Sequence, residues 1–170
     1  MLNTTRSVFW ADEDGSVPVA MAVRRMDTVK AIEGKYDNVE TTGFDEYLKL
    51  AGMPSVVAAT MNTFFRTGTM TFKAIDNGMT VTMPTAFSKM TTTWKFGVAV
   101  LNKAPDGTPI TFTMVTTDNG LEITGVMEKK PQMMPYAITI SKPKDGVLYY
   151  KCITGPKPVV MTKKLVRAKK

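Results

Sequence analysis

The chain reads as an all-β protein, and three observations carry that reading. From Thr67 onward the apolar period changes from about four to two, with Thr, Val and Ile alternating against polar residues, the pattern of half-buried strands. Turn signals punctuate the stretch at Asp76-Asn77-Gly78, Pro105-Asp106-Gly107, Asp118-Asn119-Gly120, Lys144-Asp145-Gly146 and Gly155-Pro156-Lys157-Pro158. Asn-Gly and Asp-Gly supply the positive φ angles that tight hairpins require. A strand-like piece at 33–40 and two helical segments precede this series.

Each element has its own signal. The first strand presents Tyr36 as an inward aromatic. A helix then starts at Gly43-Phe44-Asp45-Glu46, with acids in its first turn where the helix dipole favours them. It stops at Gly52 with Pro54 beyond. A second helix spans about Ser55 to Arg66, opened by Pro54 or Ser55, with Val56, Val57, Thr60, Met61 and Phe64 at helical apolar spacing. Strands follow near 69–75, 79–84, 88–96, 98–103, 109–117, 121–129, 135–142, 147–153 and 159–167. Ten consecutive antiparallel strands curl into a barrel or split into two packed sheets. A helix pair between the first two strands would cap one mouth of a barrel. Residues 1–28 read as an extension and 29–170 as the folded domain. The extension holds an acidic turn at Asp12–Gly15, a Pro-broken apolar stretch and Arg24-Arg25. It is either a flexible arm or, through Phe9 and Trp10, a docking peptide.

Composition narrows the function. The 170 residues make one domain, long enough to bury a core. No apolar run approaches the ~20 residues of a membrane span, and the start lacks a basic-then-apolar leader pattern. The single Cys152 lies in an alternating strand and reads as a buried, inert thiol. These features point to the cytoplasm. Net charge is +7, and from Lys129 onward 11 basic groups face one acid, Asp145. Such a face either solubilises the protein or attracts an anionic membrane or an acidic protein surface. For nucleic acid, charge is the sole support, with no recognised module. The chain has no His, which removes Ser-His-Asp and Cys-His nucleophile systems and the usual zinc sites. No Gly-rich phosphate loop follows a strand. A non-enzyme without cofactor or metal is expected.

Three segments converge on a family. Gly34-x-Tyr36 with Gly43-Phe44-Asp45-x-Tyr47-Leu48 resembles the N-terminal signature of the intracellular fatty-acid-binding proteins, calycins that include retinoid and bile-acid carriers. Asn38 departs from it, standing where that family has an apolar residue. The run from Ala86 to Gly97 is similar to a family strand, and Leu148-Tyr149-Tyr150-Lys151-Cys152 to the penultimate one. The resemblance implies a ten-stranded, flattened up-and-down barrel (a β-clam) with a helix-turn-helix lid over a lipid cavity.

The resemblance also implies a site. An Arg-x-Tyr on the last strand and an Arg two strands earlier hold the ligand acid in the common pattern. Here Lys163, Leu165 and Ser141 stand at those places, so both arginines and the tyrosine are missing. Lys163 and Ser141 become the head-group candidates, Lys163 either meeting a ligand acid or turning to solvent at the rim. Met90, Thr92, Trp94 and Phe96 share one strand face, inward by the resemblance. Phe87 falls at the portal, and Phe44, Tyr47, Leu48, Met53 and Val57 would line the lid side. The expected function is an intracellular carrier of a long-chain fatty acid or other hydrophobic small molecule. The alternative is a barrel repurposed as an interaction module on a cytoskeletal polymer or anionic membrane.

Overall fold

The computed structural model describes residues 19–85 and 88–169. Helix α1 (Val19–Ile32) leads into β1 (Gly34–Thr42), then α2 (Phe44–Leu50) and α3 (Ser55–Thr67). Nine strands follow: β2 (Thr69–Ile75), β3 (Gly78–Pro84), β4 (Lys89–Lys95), β5 (Val100–Lys103), β6 (Pro109–Thr117), β7 (Gly120–Val126), β8 (Tyr136–Ser141), β9 (Val147–Thr154) and β10 (Val159–Arg167). Every neighbouring pair is antiparallel, in the order β4-β3-β2-β1-β10-β9-β8-β7-β6-β5. The sequence-predicted strands match these closely, and the helix pair lies between β1 and β2 as expected.

Two devices bring the sheet round into a nearly closed barrel. The first and last strands pair along most of their length, Tyr36 opposite Arg167 through Thr42 opposite Thr162. At the seam, Asn102 of β5 imitates a ladder with its side chain. Its Oδ1 accepts from Thr93 N at 2.9 Å, and its Nδ2 donates to Thr93 O at 2.9 Å and to Val100 O at 3.0 Å. Alternation then sorts the strands. On β9, Leu148, Tyr150 and Cys152 face in; on β10, Met161, Lys163 and Leu165 do. Cys152 is fully buried, and burial pushes its thiol up to about 12.

The lid's start depends on one glycine. Gly43 sits at φ 70°, and an added Cβ would lie 1.9 Å from the Val160 carbonyl oxygen. Only glycine takes that conformation without strain and permits so close an approach. The α2 turn ends as expected, with Gly52 at φ 71°.

Two sequence readings are corrected. The inward face of α3 is Met61 and Phe65, whereas Val56, Val57 and Phe64 are 80%, 44% and 42% exposed. The helix offers two apolar stripes sharing Met61. The one ending in Phe65 wins because Phe65 stacks on Phe44 of α2 at 5.4 Å. The second correction is α1, a helix that runs unbroken through position 28, where no element had been assigned. It packs on β2 and β3, at the barrel end opposite the lid. Its stripe is Arg25, Thr28, Val29 and Ile32, and the Arg25 guanidinium lies 5.6 Å over the Phe96 ring. A buried arginine within the stripe hides its apolar period. Phe9, Trp10 and Phe87 lie outside the described residues.

Candidate functional site

Under α2 and α3 the barrel encloses a cavity of 70 Å³. Its wall is largely apolar and rich in methionine: Met53, Met61, Met70, Met83, Met90, Met127, Met133 and Met161 all line it. Of the sequence candidates, Phe44, Tyr47, Leu48, Met53, Met90, Thr92, Trp94 and Lys163 line it. Phe96 and Leu165 are buried but stand in the core outside the wall. Val57 is on the outer side of the lid.

Ser141 does not join the set. Strand β8 turns Tyr136, Ile138 and Ile140 inward, which leaves Ser141 on the outer face with Ala137 and Thr139. There its hydroxyl accepts from Tyr149 N at 2.8 Å. Beside Tyr47, Thr92 and Lys163, two tyrosines that sequence did not single out, Tyr136 and Tyr150, bring polarity to the interior. Tyr150 sits opposite Lys163 in the β9–β10 register, and the Tyr47 and Tyr136 hydroxyls lie 3.3 Å apart. Burial pushes all three tyrosines upward, so they stay neutral. Strand parity carried the signal for Tyr150, which shares its face with Cys152.

Lys163 is the one buried cation in the wall, 3% exposed. Its Nζ donates to the Phe65 carbonyl oxygen at 2.8 Å and lies 4.8 Å over the Phe65 ring. Burial lowers its pKa from 10.5 to about 8. The same carbonyl accepts from Asn38 Nδ2 at 2.7 Å, and Asn38 Nδ2 also reaches Arg66 O at 2.9 Å and Thr41 Oγ1 at 2.7 Å. A bulge between Asn38 and Glu40 shifts the β1 register and puts Asn38 and Thr41 on one face. The carbonyls of Phe65 and Arg66 end α3, where helix carbonyls lack intrahelical partners. Asn38 and Lys163 therefore cap the lid helix from two adjacent strands. A cation at a helix C-terminus is favoured by the dipole.

A second clasp closes the mouth. Lys130 Nζ donates to Ala51 O at 2.7 Å, just past α2, and pairs with Asp106 of the β5–β6 turn. Burial tends to raise Asp106, but hydrogen bonds from Lys130 and Thr108 outweigh it and hold the carboxyl below its usual value. Among buried side-chain atoms, Trp94 Nε1 and Asn38 Oδ1 lack partners among the described residues. The described residues hold no group of acidic, Cys or His side chains arranged for a metal. None of their helices is long and apolar enough to cross a membrane.

No family model and no curated protein sequence matches the chain. Solved structures do. Apo lipid binding protein 8 of Caenorhabditis elegans superposes with a TM-score of 0.72 at 16% identity, over 82% of this chain and 96% of that one. Fatty-acid-binding protein 1 of Echinococcus granulosus gives 0.68 at 12% identity, over 82% and 99%. A Schistosoma mansoni fatty acid binding protein, in complex with arachidonic acid, gives 0.68 at 20% identity, over 84% and 99%. The chain has the fold of the fatty-acid-binding proteins.

Proposed function

We propose that the protein binds a long-chain fatty acid or similar amphipath inside the barrel and carries it through the cytoplasm. The observation that carries this reading is Lys163, a buried cation in the wall of an otherwise apolar cavity beneath a helical lid. Energetics support it. Burying a methylene contributes roughly 0.8 kcal/mol, so a sixteen-carbon tail offers on the order of 12 kcal/mol before the costs of binding. One charged hydrogen bond adds about 1.5–3 kcal/mol. The tail supplies affinity and Lys163 supplies orientation, without the two-point fork that arginine would give. Carriage rather than catalysis fits the chemistry of the wall. The chain has no His, and its one thiol is protonated and outside the cavity.

The test is displacement of a fluorescent fatty acid from delipidated protein, together with native mass spectrometry. We expect one palmitate per chain at micromolar concentration or below, and loss of binding in Thr92→Trp, which fills the cavity. An empty barrel with no displacement at micromolar ligand would refute the proposal.

A further inference from the structure

The lid helix and the head-group candidate share one atom. Lys163 Nζ carries three donor hydrogens, and one is spent on the Phe65 carbonyl at the end of α3. Asn38 holds the same carbonyl and the next, so the C-terminal end of α3 is tied to β1 and β10. No carboxylate pairs with Lys163 among the described residues. Two of its hydrogens are left for a group arriving through the cavity that Lys163 lines.

We infer that Lys163 joins head group to lid: its one ammonium serves a ligand acid and the Phe65 carbonyl together, so an acid-ended amphipath fixes the C-terminal end of α3 and a neutral one of equal length does not. A carboxylate takes the free hydrogens without displacing the carbonyl. It also holds the side chain in its charged form against the pull of burial, and the charged form is the stronger donor to Phe65. A hydroxyl head group brings no such charge. Coupling of this kind is reciprocal, so whatever firms the end of α3 also favours the acid. The inference rests on the carrier reading above and adds what the head group does there.

The experiment is hydrogen exchange on the full chain, alone, with palmitate and with hexadecanol, read at the amides of Phe65, Arg66 and Thr67. Palmitate should slow their exchange about tenfold relative to hexadecanol, the scale of one charge-assisted hydrogen bond. In Lys163→Met, whose unbranched stem fills similar space, the protection that palmitate gives beyond hexadecanol should vanish. Binding of both with equal protection in the unsubstituted protein overturns the inference and leaves the carrier reading standing. That comparison needs no variant to fold. A palmitate advantage that survives in Lys163→Met overturns it too. Binding of neither ligand overturns both.

Discussion

Palmitate binding at pH 8 should draw about half a proton from solution. Burial lowers Lys163 from 10.5 to about 8, so at that pH half of the empty molecules hold it neutral. A carboxylate beside it returns its pKa to the ordinary lysine range. Uptake is then about 0.1 proton at pH 7, about 0.5 at pH 8 and about 0.9 at pH 9. Other shifted groups of the interior move away from this window. Tyr47, Tyr136 and Tyr150 are raised by burial, and Cys152 is pushed up to about 12. The assay is titration calorimetry in phosphate and in Tris, whose ionisation heats differ. The difference in observed heat gives the protons taken up. Hexadecanol should take up none, and neither should palmitate with Lys163→Met. Palmitate that binds at pH 9 with no uptake refutes the pairing, as does uptake that persists without the lysine.

Three further outcomes are expected. Lys163 titrates lower in the folded chain than in the unfolded one, about 8 against 10.5, so between those values the unfolded chain holds more protons and stability rises with pH. The gain is about 3 kcal/mol across that window, read as the difference in urea unfolding between the protein and Lys163→Met. Gly43→Ala should lower stability by about 2 kcal/mol or more, because its Cβ meets the Val160 carbonyl at 1.9 Å; thermal unfolding reads this. Asn102→Ala removes two hydrogen bonds across the β4–β5 seam and one within β5. It should cost about 1–3 kcal/mol and speed exchange of the Thr93 amide.

The barrel was legible because its information is local. Turn dipeptides and a period of two lie within a few residues of each other, and they placed the nine strands from Thr69 onward. Site chemistry lies between residues far apart in sequence. Lys163 and Phe65 are 98 positions apart, and no window of sequence shows that one caps the other. Asn38 stood out as a polar residue at an apolar place. Its role appears only when the end of α3 lies beside it. Ser141 failed by parity: an alignment placed it in the head-group set, but the β8 face that turns inward is the one carrying Tyr136, Ile138 and Ile140. The α1 stripe was hidden because one of its four buried members is Arg25.

The methionine wall and the lid belong to one physical argument. On the proposed reading, an acyl chain in that cavity lies against side chains of both the lid helices and the strands. Ligands of different shape require those side chains to refit, and which of them moves decides the cost. Interiors are close-packed, so a wall of branched residues resists rearrangement. Methionine has three rotatable bonds and no branch, and it refits around irregular shapes at low cost. Eight of the wall residues are methionine, several of them on facing strands such as Met83 and Met90, which pair directly. The cap on α3 complements this. With its C-terminal end fixed by Asn38 and Lys163, the helix yields most easily at its other end, where Val56 and Val57 are exposed. On the proposed reading, a ligand meets a wall that adapts and a lid hinged at Lys163. Replacing Met61, Met83 and Met90 by isoleucine should slow palmitate entry in stopped-flow measurements while leaving the fold intact, and unchanged entry would show that the lid, not the wall, limits access.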